Sequence, residues 1–355
     1  MSWQVSEIHH GAIGIGSLKI GLLAPPWAAV PPSSYGGTEA VVSELAVGLI
    51  AAGHEVMLYA TGDSTAPVPL VRATASATWD RIGHGEVELP HVMGGYEALT
   101  GCDIIHDHTL LGPAWALANG CDRVVTTCHG PFGGELSAIY RRYAKRIPVV
   151  AVSHNQARRA PEVMIDRVIH HGLDPTAYPD GDGDGGFLLF LGRMTADKGV
   201  RQAVLAARAA GRRLIVAAKA REKSEQAYYH DQIEPLLDDN VEFIGEVGGQ
   251  DKLALLGEAS ALLNPIQWPE PFGLVMIEAL ACGTPVIACP NGAAPEIVDD
   301  GVTGYLCSGK DALVRAICNV DHLSRRACRE AVIERFSTAR MVSDHLALYH
   351  ELVTR

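Results

Sequence analysis

Two glutamates eight positions apart, Glu270 and Glu278 in "NPIQWPEPFGLVMIEALACGTPVIACPNG" (residues 264 to 292), sit in sharply different company. Glu270 lies between Pro269 and Pro271. Prolines lack an amide donor and push the preceding residue toward extended backbone, so this glutamate is expected on a loop. From Gly273 the spacing of Leu274, Ile277 and Ala281 predicts a buried helix ending near Cys282-Gly283, with a strand from Pro285 to Ala288. Glu278 falls in the second turn of that helix. A carboxylate in apolar surroundings is costly unless a hydrogen-bond partner or a polar ligand faces it. The alternative is a solvated glutamate favoured by the helix dipole.

Other polar groups stand where strands should end. In "FLGRMTADKGV", Arg193 and Lys198 flank a loop between a strand and a helix opened by Gly199, and an arginine fork with a mobile ammonium could neutralise a diphosphate. In "YGGTE", Gly36 and Gly37 open a helix after the first strand, where unpaired amides and the dipole favour an anion, unless they form only a tight turn. The histidines of "IIHDHT", His106 and His108, and His129 of "TTCHG" read as polar groups lining a cleft. "GAIGIG" precedes a strand rather than following one, so it is not a dinucleotide fingerprint.

Metal readings are weak. Asp180, Asp182, Asp184 and Gly185 imitate the opening of a calcium loop, but Leu191 occupies the position that needs a bidentate glutamate. The eight cysteines show no CxxC, and Cys121, Cys128 and His129 do not make four zinc ligands.

These groups need elements to hold them. "KIGLLA" (19–24) begins an alternation of apolar strands and amphipathic helices that runs through "EVMLYA", "DIIHDHT", "RVVTTCHG" and "IPVVAVS". It lapses at "PDGDGDGG" and resumes with "FLLFLG", "RLIVAA", "VEFIG", "ALLNP" and "PVIAC". Two doubly wound α/β domains follow. The expected division is an extension over 1–17, a first domain over 18–178, a flexible linker over 179–186, a second domain over 187–336, and a last helix over 337–355 able to pack back on the first domain.

Composition fits a soluble two-domain protein. The 355 residues are 48% hydrophobic and 20% charged, and 29 basic against 41 acidic residues give a net charge of −12, which disfavours general nucleic-acid binding. One basic run, Arg141 to Arg146, is either a solvated helix face or a membrane-surface contact. No apolar run of about 18 residues is present to span a bilayer, and neither a signal peptide nor a disulfide framework is evident, which points to the cytoplasm.

Taken together, "EPFGLVMIE" with its E-x7-E spacing, "ALACGTPVIA", "NGAAPEIVDDGVTGYL", "GRMTADKGV" and "YGGTE", in this order, resemble the retaining glycosyltransferases of family 4 from Lys19 onward. The resemblance implies the GT-B architecture, two Rossmann-like domains facing across a cleft, and transfer of a sugar, glucose or a related hexose, from a nucleotide diphosphate, most often UDP, to an acceptor hydroxyl. It implies that Glu270 touches the donor sugar, that amides of Phe272, Gly273 and Leu274 hold sugar and phosphate, and that Glu278 binds the ribose. Arg193 and Lys198 would stabilise the departing diphosphate, His129 would stand near the sugar, Gly37 beside the phosphates, and His108 elsewhere in the cleft. No metal or other cofactor is expected, because the cations fill that role. "VAAKAREK" departs from the glycine-rich turn of many relatives and leaves the role of Lys219 open. "PPSSYGGTE" and "YATGDS" look like a bacterial subgroup that includes glucosyltransferases acting on reduced pterins, and Trp27 and Tyr35 are candidates for an acceptor pocket. A sugar-nucleotide epimerase of the same architecture and a non-catalytic binding protein remain as alternatives.

Overall fold

A computed structural model describes residues 16–34, 36–73 and 76–354. The expectation for Tyr35 and most of the N-terminal extension lie outside the described residues. Seven parallel strands form the first sheet: β1 (Lys19–Leu23), β2 (Glu55–Ala60), β3 (Leu70–Arg72), β4 (Ile104–Asp107), β5 (Val124–Cys128), β6 (Val149–Ala151) and β7 (Arg167–Val168), in the order β3-β2-β1-β4-β5-β6-β7. Six more form the second: β8 (Phe187–Arg193), β9 (Arg213–Lys219), β10 (Val241–Gly245), β11 (Ala261–Asn264), β12 (Val286–Ala288) and β13 (Gly304–Leu306), in the order β10-β9-β8-β11-β12-β13. Both sheets are covered by helices on two faces, which is why their central strands are apolar runs rather than alternating ones.

Each sheet reverses its winding once, between β1 and β4 and between β8 and β11. Ligands of such sheets gather at the carboxyl ends of the strands beside that reversal. The loops there are 24–36 after β1, 194–199 after β8 and 265–273 after β11, and they carry most of the polar groups singled out above.

The glycine–aspartate run is not a free tether. Amides of Gly181, Gly183 and Gly185 bond the carbonyls of Cys282, Gly257 and Glu258 at 3.0–3.1 Å, and Arg325 holds the carbonyls of Gly181, Gly257 and Ala259 at 2.8–3.0 Å. A side chain on Gly181 or Gly185 would collide with backbone of the second domain, which accounts for glycine at these positions. The aspartates between them point outward, so the stretch reads as polar in sequence while being pinned in structure. The chain instead passes between domains at Leu173 and again at Ser337, where the two passes bond each other, Leu173 to Phe336 and Thr338 to Leu173, both at 2.9 Å. The final helix, Thr338–Thr354, then packs on the helix Gly37–Ala51 and contributes Met341, Val342, Leu348 and Tyr349 to the first domain's core.

β3, β7 and β13 were not expected from the sequence. They are edge or near-edge strands of two or three residues, too short for a period to show. No helix among the described residues is long and apolar enough to cross a membrane. In the basic run, Arg141, Arg142, Lys145 and Arg146 are exposed while Tyr143 and Ala144 are buried.

Candidate active site

A cavity of about 620 Å³ lies between the two domains. That is the size of a site for a ligand of several hundred daltons. Two helix N-termini meet in it. Gly37 opens the helix Gly37–Ala51 from the first domain, and Gly273 caps the helix Leu274–Ala281 from the second with φ 101°, a left-handed conformation that suits glycine. A methyl placed on Gly37 would stand 3.5 Å from Leu274 Cδ1, so the two termini are within contact distance across the cleft. Their unpaired amides and dipoles converge, which makes this the most favourable place in the cavity for an anion.

Around that point lie the second domain's charged groups. Lys198 is ion-paired with Glu270 Oε1, and both side chains are nearly withdrawn from solvent, at 12% and 13% exposure. Glu270 Oε2 is buried and unpartnered among the described residues. A buried acceptor is costly unless a donor meets it, and a ligand hydroxyl can be that donor. The Glu270 loop is fixed from behind by Ala293 N–H to the Glu270 carbonyl (3.1 Å) and by Asn291 Nδ2 to the Ile266 carbonyl (2.7 Å). Arg193 reaches Asp197 at 3.2 Å and lines the cavity. Glu278 has its partner: Lys252 Nζ at 2.8 Å, from the helix Gly249–Glu258. Lys219 is buried against Glu225 (3.3 Å) and Glu222 (2.9 Å), and Arg221 binds Glu246 at 2.7 Å. Glu246, Val247 and Gly248 form the wall beside Glu278 and Lys252, whereas Gly245 does not reach the cavity.

The first domain contributes Trp27, Trp79, Gly36, Gly37, His129 and the buried Glu39. Burial pushes the Glu39 pKa up to about 7, although its own amide and that of Ala28 bond the carboxylate. The expectation that His106 and His108 line the cleft is not met. His106 is fully buried, its nitrogens bonded to the Tyr349 hydroxyl (2.6 Å) and Thr127 Oγ1 (2.7 Å). His108 lies behind His129, 2.9 Å from it, and of the three histidines expected in the cleft His129 alone lines the cavity. The reason is packing: His106, inside β4, bonds Tyr349 and Thr127, and His108, just past the strand end, bonds His129, so both rings are held by neighbouring elements beneath the cleft. His171 stacks on His129 with centroids 5.3 Å apart and abuts Phe272 at 5.0 Å. Burial, aided by neighbouring histidines, holds His106, His108 and His171 well below the usual histidine pKa and lowers His129 to about 3.

Lys252, His171, Glu39 and Trp79 were not anticipated as site residues. Lys252 carries no spacing that ties it to Glu278, since their helices meet only through the fold, and His171 belongs to no motif that would single it out. Glu296, in "NGAAPEI", was likewise missed: its carboxylate crosses the domain interface to accept from His170 Nε2 (2.8 Å) and the amides of His154 (2.8 Å) and Asn155 (2.6 Å). Among the described residues no three His, Cys, Asp or Glu are grouped to hold a metal ion.

Family models match both halves of the chain: "Glycosyltransferase Family 4" over residues 35–177 and "Glycosyl transferases group 1" over 180–334. Glycogen synthase of Mycobacterium tuberculosis is 26% identical over 85% of this chain and 87% of its own length. N-acetyl-alpha-D-glucosaminyl L-malate synthase of Bacillus anthracis is 34% identical, over a third of this chain (33%) and a third of its own (32%). Among solved structures, AviGT4, a glycosyltransferase involved in avilamycin A biosynthesis, superposes with a TM-score of 0.73 at 27% identity, over 95% of this chain and 98% of that one. Anabaena HepE, in complex with UDP and glucose, superposes with a TM-score of 0.72 at 20% identity, over 94% and 100%. With two parallel-sheet domains facing one cleft and a family model on each, the chain belongs to the family 4 glycosyltransferases of GT-B fold.

Proposed function

We propose that the protein transfers a hexose from a nucleotide diphosphate sugar, with UDP as the nucleotide, to an acceptor hydroxyl, retaining the configuration at the anomeric carbon. The observation that carries this reading is the Lys198–Glu270 pair set beside two converging helix N-termini. The amides after Phe272 and at Gly37 take the diphosphate. Lys198 has three donors, so it can hold Glu270 and a phosphate oxygen together. Charge developing on the leaving diphosphate is thereby stabilised by groups already in position, the most effective form of catalysis such a site can offer. Arg193 adds to that field from the end of β8.

Glu270 positions the sugar: its free Oε2 accepts from a hydroxyl of the donor hexose. Glu278, oriented by Lys252, binds the ribose hydroxyls, and the base lies along Glu246 to Gly248. The acceptor occupies the first-domain side, between Trp27 and Trp79. Its proton passes to the departing phosphate oxygen on the same face. The cationic side chains and amides provide the charge that a metal ion supplies in other sugar transferases, so the reaction proceeds without one. The complex of HepE with UDP and glucose supports a UDP-sugar donor.

The test is product analysis with UDP-, GDP-, ADP- and TDP-hexoses and a panel of hydroxyl acceptors, in chelator, reading the new anomeric linkage by proton NMR. An α-linked product from an α-linked donor is expected. A β-linked product, or donor turnover only when metal is restored, would overturn the retaining, metal-independent reading.

A further inference from the structure

His129 and His171 are the first-domain imidazoles at the cavity, and the hydrogen-bonding character of His129 is set by the ring behind it. Nδ1 of His108 and Nε2 of His129 are 2.9 Å apart. Both rings belong to a buried stack, His108 with its centroid 4.0 Å from that of His106 and His129 stacked on His171. Burial keeps these rings neutral, so each carries one N–H. Two arrangements are then open: His108 donates from Nδ1, or His129 donates from Nε2.

The far nitrogen of His108 decides between them. Nε2 of His108 is buried and has no partner among the described residues. If His129 were the donor, His108 would accept at Nδ1 and carry its proton on Nε2, leaving a buried N–H without an acceptor. If His108 is the donor, Nε2 holds only an unused lone pair. Orphaned buried N–H groups are the rarer and costlier defect. His129 therefore accepts at Nε2 and carries its proton on Nδ1. That nitrogen is not among the buried atoms lacking a partner, and the described residues offer it no bond, so it opens on the cavity that the ring lines.

We propose that His108 is a positioning residue that locks His129 in its Nδ1–H tautomer, so that His129 meets the substrate as a hydrogen-bond donor. The ligand class follows: an oxygen that accepts, such as a hydroxyl or ring oxygen of the hexose. Glu270 Oε2 across the cavity is a pure acceptor. A sugar between them must donate toward Glu270 and accept from His129, which fixes the direction of its hydroxyl bonds as well as its place. This assignment of the ligand rests on the sugar-transfer reading above, while the tautomer itself does not.

The experiment is a long-range proton–nitrogen correlation spectrum of the protein labelled with 15N-histidine, near pH 7.5, with the His129 signals identified by their loss in His129→Gln. The expected spectrum shows His129 Nδ1 in the protonated range and Nε2 in the bare-nitrogen range. A protonated Nε2 in the native protein overturns the proposal, and this readout needs neither turnover nor a variant of His108. In His108→Phe the His129 pattern should shift toward Nε2–H; an unchanged pattern in that variant also overturns the lock. With a donor sugar turning over, His108→Phe should lower kcat about fivefold to tenfold at unchanged donor KM, and His108→Asn, whose amide keeps an N–H at the Nδ1 position, should recover part of the loss. The lock with no response to any sugar nucleotide would count against the transfer reading alone.

Discussion

Lys198 and Glu270 are 72 residues apart in the chain and are joined in one ion pair at the floor of the cleft. A buried pair of this kind is weak evidence for stability, because desolvation offsets much of its attraction. Its value is in placement: one carboxylate oxygen holds the ammonium and the other is left to a ligand.

Lys198→Ala should therefore lower kcat roughly 10²- to 10³-fold, the usual cost of removing one group that stabilises developing charge. Affinity for the nucleoside diphosphate alone should change by less than about tenfold, since the helix amides remain. Steady-state kinetics together with titration calorimetry of UDP check this. Unchanged turnover would remove Lys198 from the leaving-group role.

Glu278→Ala should act on binding instead. Its carboxylate, held by Lys252, is placed for a vicinal diol, and losing hydrogen bonds to a charged acceptor costs about 1.5–3 kcal/mol. UDP should bind roughly 10- to 100-fold more weakly by calorimetry, and Lys252→Ala should give a smaller effect in the same direction. Wild-type affinity in Glu278→Ala would contradict the ribose assignment.

Gly292 sits at φ 59°, with the backbone of Glu270 where its side chain would be. Gly292→Ala should therefore displace the Glu270 loop. A loss of about 1–3 kcal/mol in unfolding free energy is expected from the strained backbone, together with a fall in kcat. A variant of full stability and full activity would show that the loop does not depend on this contact.

The stack of neutral histidines should make the first domain sensitive to acid. His345, bonded through Nδ1 to the Met341 carbonyl, has its pKa lowered to about 4 from 6.5, chiefly by burial, and burial likewise holds His106 well below the usual histidine value. In the unfolded chain these rings take a proton below pH 6.5, while in the fold His345 does so only near 4 and His106 is held neutral well below 6.5. The unfolded state thus holds more protons in that window, and stability is lost as pH falls from about 6.5 toward 4. Glu39 and Asp107, both raised to about 7, act oppositely, holding extra protons in the fold and favouring it as pH falls from 7. The histidines are the more numerous, so denaturant midpoints should drop with acidification. His345→Leu should flatten that slope, by as much as about 3 kcal/mol across the window if its ring alone bears the shift. An equal slope in the variant would show that the stack is not the source.

Most of the central fold was legible from the sequence because buried parallel strands are apolar runs and the helices between them are amphipathic. β1, β4, β8 and β11, which place the site, were all visible this way. What was hidden was whatever depends on the third dimension. The glycines of "PDGDGDGG" looked like freedom and are instead the result of close packing on Gly257 and Phe187. His108 stands directly after the end of β4, and only the folded arrangement shows it beneath His129 rather than in the cleft. The carboxylate of Glu278 demanded a partner that the sequence could not name, and Lys252 answers it from another helix. Motif order located the loop carrying Glu270, since prolines and the following helix start are local signals.

The most direct measurement is thermal unfolding of the purified protein against UDP, GDP, ADP, TDP and their hexose conjugates, with Glu278→Ala as the control. A ligand at 100 times its Kd adds about 2.7 kcal/mol to the stability of the native state. We predict a selective rise in Tm with UDP and a UDP-hexose, much reduced in Glu278→Ala. A folded protein whose Tm is indifferent to every nucleotide would contradict the central claim that this cleft holds a nucleotide diphosphate sugar.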